Sequence, residues 1–185
     1  VQQYGHNYEY SFIEHESNIG TGCKISGIEQ ASTEYVCFLD DDNLLEPQYV
    51  EKLVGALTPE KQIAIGQVLM HRWKDGEEVT RRIPADGPIP TWHEIDSLNF
   101  LVNTKIAKQC KEAWQQDPSQ PVDQDYRFIA ECLKHTGYGL VEEVLGHHRE
   151  MKNDTSGTCN CIADKYSVCP QHGVMNWWLN PEGRS

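Results

Sequence analysis

The stretch Glu34-Tyr35-Val36-Cys37-Phe38-Leu39-Asp40-Asp41-Asp42-Asn43 decides the fold. Tyr35 to Leu39 is a continuous apolar run, preceded by Ser32-Thr33-Glu34 and followed by three aspartates. That is the pattern of a strand covered on both faces in an α/β sheet. Sheets of this kind place their ligands beyond the C-terminal ends of their strands, so the aspartates stand where a ligand is expected. Crowded carboxylates at the end of an apolar strand repel one another unless a cation offsets them. Side chains alternate along a strand, so Asp40 and Asp42 share one face and Asp41 points elsewhere. The plainer alternative is a solvated acidic turn ahead of a helix, whose N-terminus favours carboxylates.

Outward from this strand, helical and strand-like segments alternate, which argues for α/β. Tyr8 to Ile13 has strand composition, Glu14 to Gly22 is a polar loop, and Cys23 to Gln30 reads as a short helix. Pro47 suits the first turn of a second helix, in which Val50, Leu53, Val54 and Leu57 recur at helical spacing until Thr58-Pro59. Ile63 to Met70 reads as a strand, Lys74-Asp75-Gly76 as a hairpin turn, Pro84 to Pro90 as a loop and Ile95 to Val102 as an apolar segment. Lys105 to Trp114 and Asp125 to His135 read as helices. In the second, Phe128, Ile129, Cys132 and Leu133 form one apolar stripe, Asp123 is placed to cap, and Gly137 falls where a left-handed C-terminal residue is needed. Val141 to His148 is the last expected strand. Beyond it the composition turns to Asn, Thr, Ser, Gly and Cys, which divides the chain into a domain over 1–151 and a loop-rich tail over 152–185.

The 185 residues suffice for one domain with a real core. A formal net charge of −12 disfavours nucleic acid as a partner, since no basic stripe longer than Arg81-Arg82 is present. An acidic protein that holds a polyanion needs a metal ion, helix N-termini or a few placed cations. No run approaches the ~18 apolar residues of a transmembrane segment. The cysteine count is odd, at seven, and Cys23, Cys37, Cys110 and Cys132 fall in segments that read as core or helix. A reducing compartment, the cytoplasm, is the expectation.

Asn18-Ile19-Gly20, Gly27-Ile28, Ala31, Glu34-Tyr35 and Phe38-Leu39-Asp40 together resemble the family 2 glycosyltransferases of the GT-A fold, in both residues and spacing. The resemblance runs from about Tyr8 to Ser156 and lacks the family's opening strand-helix-strand unit. It implies a Rossmann-like mixed sheet flanked by helices, minimal or short of its first β-α unit. It also implies a metal-dependent inverting hexosyltransferase that moves a sugar from a nucleotide-diphosphate sugar, UDP-linked by preference, to a carbohydrate or other hydroxyl acceptor. Breaking a sugar–phosphate bond releases a diphosphate, and Mn²⁺ or Mg²⁺ on hard oxygen ligands stabilises its growing charge.

By the same resemblance Asn18, Gly20, Lys24, Asp40 and Asp41 contact the nucleotide donor, and Asp42 ligates the metal. Asp125, in Val122-Asp123-Gln124-Asp125, matches the catalytic base, with Gln124 replacing the family's usual Glu. Leu145-Gly146-His147-His148-Arg149 resembles the strand that supplies a metal histidine. His147 and His148 face opposite ways on a strand, so one of them at most reaches the cation, and His148 is the candidate. Arg149 or Lys152 is placed for the diphosphate. Asp86 to Asn99, with Trp92, His93, Glu94 and Asp96, lies where acceptor or sugar contacts are expected, and Glu14, His15 or Glu16 near the nucleotide.

In the tail, Cys159, Cys161, Cys169 and His172 are chemically able to bind Zn²⁺, although their spacing is not that of paired knuckles; a disulfide or free thiols fit equally well. Two other functional classes stay open from sequence. One is a non-catalytic nucleotide-sugar or carbohydrate-binding module with a degenerate GT-A fold. The other is a metal-dependent phosphotransferase or hydrolase that uses the same carboxylates.

Overall fold

A computed structural model describes residues 21–40, 43–74, 77–85, 91, 94–115 and 124–149, and the architecture below refers to these. In chain order they form helix α1 (Thr21–Gln30), strands β1 (Tyr35–Cys37) and β2 (Leu44–Leu45), helix α2 (Tyr49–Gly55), strands β3 (Lys61–Lys74), β4 (Glu77–Ile83) and β5 (Phe100–Asn103), helices α3 (Thr104–Cys110) and α4 (Gln124–Cys132), and strand β6 (Gly137–Arg149). One-turn 3-10 segments precede β5 at Ser97–Asn99 and follow α3 at Lys111–Trp114.

The strands make one mixed sheet in the order β1-β5-β3-β6-β2, and β3 is long enough to carry β4 as well. Ile63 to Ile65 pair with β5, and Val68 to Lys74 pair with β4, both antiparallel. On its other edge β3 runs parallel to β6. Period-two alternation then sorts the side chains into two layers. Ile63, Ile65, Phe100 and Val102 face α1, α3 and α4 through Ile28, Ala107, Phe128, Ile129 and Trp114. Ala64, Leu101 and Leu145 face the opposite way, onto Tyr49 and Leu53 of α2. The buried Tyr49 hydroxyl donates to the carbonyl of Leu98 at 3.0 Å, which ties α2 to the approach of β5. This is a helix-flanked mixed sheet, consistent with the GT-A fold.

Several expectations are corrected. The Tyr35–Leu39 strand is shorter and less buried than expected: it spans only Tyr35–Cys37, pairs antiparallel with β5, packs Tyr35 and Val36 half-buried against the two opposite core layers, and leaves Cys37 exposed. Continuous apolarity here serves a short strand that leads into an aromatic anchor. Phe38 lies edge-on against Phe100, Trp114 and Phe128, with ring centroids 5.9, 5.3 and 6.0 Å away. Of the four cysteines expected in core or helix, Cys110 and Cys132 are buried and Cys23 is half-buried.

Gly137 is not a left-handed cap, because it opens β6 and its amide donates to the Glu60 carbonyl at 3.0 Å. The Asp125–His135 helix ends at Cys132 and passes into a turn. Glycine is required at Gly139 for a different reason: a Cβ there would lie 2.0 Å from the carbonyl oxygen of Ala56, at the end of α2. Among the described residues no helix is long and apolar enough to cross a membrane. The expected strand at Tyr8–Ile13, the cap Asp123 and the whole 152–185 tail, with Cys159, Cys161, Cys169, His172 and Lys152, lie outside the described residues.

Candidate active site

The candidate site forms where the end of β1, the first turns of α1 and α4, the Asp96-Ser97 turn and the end of β6 meet. Asp40 follows the Phe38 anchor by two residues, so the aromatic packing fixes the carboxylate's position. Lys24, on α1, extends over the Trp114 ring, with Nζ 4.8 Å from the ring centroid, a cation–π contact. Its ammonium lies 3.8 Å from Asp40 Oδ1 and 3.7 Å from Asp125 Oδ1. Lys24 therefore links the two carboxylates, which are 85 positions apart in sequence.

The link is completed by Ser97, whose side chain belongs to a residue only 1% exposed. Lys24 Nζ donates to Ser97 Oγ at 3.0 Å, and that hydroxyl lies 3.5 Å from Asp40 Oδ2 as donor. The Ser97 backbone N–H donates to the Asp125 carboxylate. One residue thus holds the ammonium and both carboxylates.

Asp96 anchors the turn that positions Ser97. Its Oδ1 accepts from the Leu98 amide at 2.9 Å, and its own amide donates to Asn99 Oδ1 at 2.7 Å, forming a reciprocal capping box. Asn99 is fully buried and has partners at both ends: Nδ2 donates to the carbonyls of Gly66 at 2.8 Å and Ile83 at 3.0 Å. A fully satisfied buried amide of this kind rigidifies the turn and ties it to β3 and β4. The remaining Asp96 oxygen, Oδ2, pairs with His148 Nδ1 at 3.3 Å. On β6, His148 points into the site and His147 points to the other face, as alternation requires.

Three carboxylates around one ammonium set the electrostatics. Burial pushes Asp125 up; the Lys24 charge opposes this, while Asp96 and Asp40 reinforce it, and the result is a pKa of about 6. Burial would also raise Asp96, but the hydrogen bond and charge of His148 outweigh it, with help from the Leu98 amide and Lys24, and hold Asp96 below the ordinary carboxylate value. Burial would lower Lys24, yet the charges of Asp125, Asp40 and Asp96 raise it above the usual lysine value. Neighbouring carboxylates of equal intrinsic acidity are thereby driven apart, the arrangement that separates acid and base roles in one site.

Of the residues singled out from sequence, Lys24, Asp40, Asp96, Asp125 and His148 come together. Asn18, Gly20, Asp41, Asp42, Trp92, His93, Glu14, His15 and Glu16 lie outside the described residues, as does the side chain of Arg149, whose backbone ends β6. Glu94 turns instead to Arg81 and to the Ala85 amide. Among the described residues, no three His, Cys, Asp or Glu side chains form a metal-holding group. Ser97 and Asn99 fall within the Asp86–Asn99 stretch expected to make acceptor or sugar contacts, but the sequence singles out neither. The available signal is Asp96-x-x-Asn99, a capping box that marks a fixed turn but does not say what the turn holds.

A family model described as "Glycosyl transferase family 2" matches residues 2–115, which includes Lys24, Asp40 and the Asp96-Ser97 turn and stops short of Asp125 and β6. No curated protein matches the chain.

Proposed function

This chain belongs to glycosyl transferase family 2, so it transfers a glycosyl group from a nucleotide-sugar donor to an acceptor, and we propose that it does so as a metal-dependent, inverting hexosyltransferase using a UDP-sugar. One observation carries the proposal. Lys24 and Ser97 join Asp40, at the end of the donor motif, to Asp125, which lies beyond the matched stretch.

In this reading Asp125 is the base. Its carboxylate takes the proton of the acceptor hydroxyl as that oxygen bonds to the anomeric carbon, and the bond from that carbon to the diphosphate oxygen breaks with its electron pair leaving on UDP. A carboxylate with a pKa of about 6 is ionised near neutral pH, yet it is a stronger base than an ordinary aspartate. Lys24 and Ser97 orient it and keep Asp40 within reach of the donor. The Asp96 pairing holds the His148 ring with Nδ1 turned to the carboxylate.

The chemistry of these side chains supports a divalent cation. Carboxylates outnumber the ammonium where a diphosphate must bind, and oxygen ligands with one imidazole suit Mn²⁺ or Mg²⁺. Asp42 and His148 would hold the ion, with Asn18, Gly20, Lys24, Asp40, Asp41 and Arg149 around the nucleotide. When bound, the ion neutralises charge developing on the leaving diphosphate.

The test compares the wild-type chain with Asp125→Asn. Sugar transfer, read as UDP release in the presence of an acceptor, should fall by about 10²- to 10⁴-fold. Calorimetry should show UDP binding with Mn²⁺ essentially unchanged. Undiminished transfer would remove Asp125 as base. A wild-type chain that shows no heat with UDP and Mn²⁺ would remove the metal–UDP reading.

A further inference from the structure

The end of β6 carries a second polar cluster, on the face opposite His148. His147 Nε2 lies 2.8 Å from Glu46 Oε1, and His71 Nδ1 lies 2.7 Å from Glu78 Oε1. The remaining two ring nitrogens, His71 Nε2 and His147 Nδ1, face each other at 3.0 Å. The four side chains come from β3, β4, β6 and the segment between β2 and α2, and all are partly exposed.

A carboxylate only accepts hydrogen bonds, so each outer imidazole nitrogen carries the hydrogen. A neutral imidazole has one N–H, and both inner nitrogens therefore present lone pairs to one another. Only a cation between them reconciles that contact, either a single shared proton or a metal ion. Of the two, a dication offsets more of the charge of two ionised glutamates than one proton does. The outer carboxylates are also the partners that metal-bound histidines use to fix tautomer and ring orientation.

We propose that His71 and His147 form a binding site for a divalent transition cation of the zinc class, with Glu46 and Glu78 positioning the rings. Among the described residues no three such side chains converge, so the ion takes two imidazole nitrogens and completes its shell with water or an added ligand. Two Zn–N bonds of about 2.05 Å at a tetrahedral angle set their nitrogens about 3.3 Å apart. The rings have to separate by a few tenths of an ångström and turn so that both lone pairs meet at the ion, which partly exposed side chains allow. Imidazole nitrogen favours Zn²⁺, Cu²⁺ or Ni²⁺, whereas the carboxylate-rich face suits Mn²⁺ or Mg²⁺. The two faces of one strand thus select different metals, and the ion would brace the β3–β4 hairpin to β6.

The experiment titrates the full chain with Zn²⁺ by calorimetry and counts nitrogen ligands to Cu²⁺ by electron paramagnetic resonance. It uses wild type, His71→Gln, His147→Gln, Glu46→Gln and Asp42→Asn. His71→Gln and His147→Gln should each weaken the same site at least about tenfold and reduce two coupled nitrogens to one. Glu46→Gln should weaken binding about 10- to 100-fold with the nitrogen count kept. Asp42→Asn should leave the site intact, and any metal held by the cysteine-bearing tail is common to all five proteins. A two-nitrogen signal unchanged in His71→Gln overturns the proposal. So does a wild type with no Zn²⁺ site sensitive to either histidine, the outcome expected of a shared proton. His71 and His147 sit on different strands, so a folding failure of one variant leaves the other to decide.

Discussion

His147 and His148 are adjacent on one strand and enter very different surroundings. His148 meets Asp96, whose turn is fixed by the buried Asn99 and which sits in a group of three carboxylates and one lysine. His147 meets Glu46 and His71 in a line that runs along the partly exposed face of the sheet. Convergence is what distinguishes the two. Where like charges converge under partial burial, they perturb one another, and Asp125 is pushed to about 6. Where polar groups are strung out, each outer carboxylate meets one ring and the two rings meet each other through their inner nitrogens. The first arrangement suits proton transfer, and the second suits holding an ion.

Both faces depend on β6, so the strongest way to break the comparison is to displace that strand. Gly139→Ala would place a methyl group 2.0 Å from the Ala56 carbonyl oxygen, and backbone cannot yield as a side-chain end can. A loss of about 3 kcal/mol in chemical denaturation is expected, accompanied by loss of both sugar transfer and Zn²⁺ binding. Loss of transfer alone would show that the faces are not coupled through the strand.

A smaller perturbation separates them by pH. Asp125 must be ionised to act as base, so transfer should fall about tenfold per pH unit below about 6 and level off above it. The stability linkage runs in the opposite direction. The folded-state pKa lies above the ordinary aspartate value, so proton uptake stabilises the fold fully below about pH 4. That contribution is lost as pH rises through about 6. Asp125→Asn should flatten this part of the stability profile, and a wild-type profile already flat between pH 4 and 6 would refute the assignment.

Ser97→Ala gives the smallest expected effect. It removes the hydroxyl shared by Lys24 and Asp40 and keeps the backbone N–H on Asp125. A loss of about 1 kcal/mol, roughly fivefold in kcat/KM, is expected, with the acid limb of the pH profile little moved and Zn²⁺ binding unchanged. A shift of that limb by a full pH unit would mean that the hydroxyl, more than burial, sets the basicity of Asp125.

Most secondary structure was legible because it depends on local pattern. Helical spacing marks α2, an apolar stripe marks α4 and a short apolar run marks β3. The early end of the strand at Cys37 shows the limit of that logic, since an apolar run records burial without saying whether a sheet or an aromatic cluster supplies it. Lys24 and Asp125 are each legible in sequence, whereas Ser97 is indistinct within its stretch, because a serine hydroxyl has no pattern until its partners are known.

The sequence by itself determined the family and the chemical inventory: carboxylates at Asp40 and Asp125, and paired histidines at the end of a strand. Only the tertiary structure decided which of these groups meet. It put Lys24 between Asp40 and Asp125, sent His148 to Asp96 and sent His147 to His71. The physical reason is range. Motifs and periodicity are fixed by neighbours along the chain, whereas desolvation and charge coupling depend on groups that the sheet brings together across tens of residues.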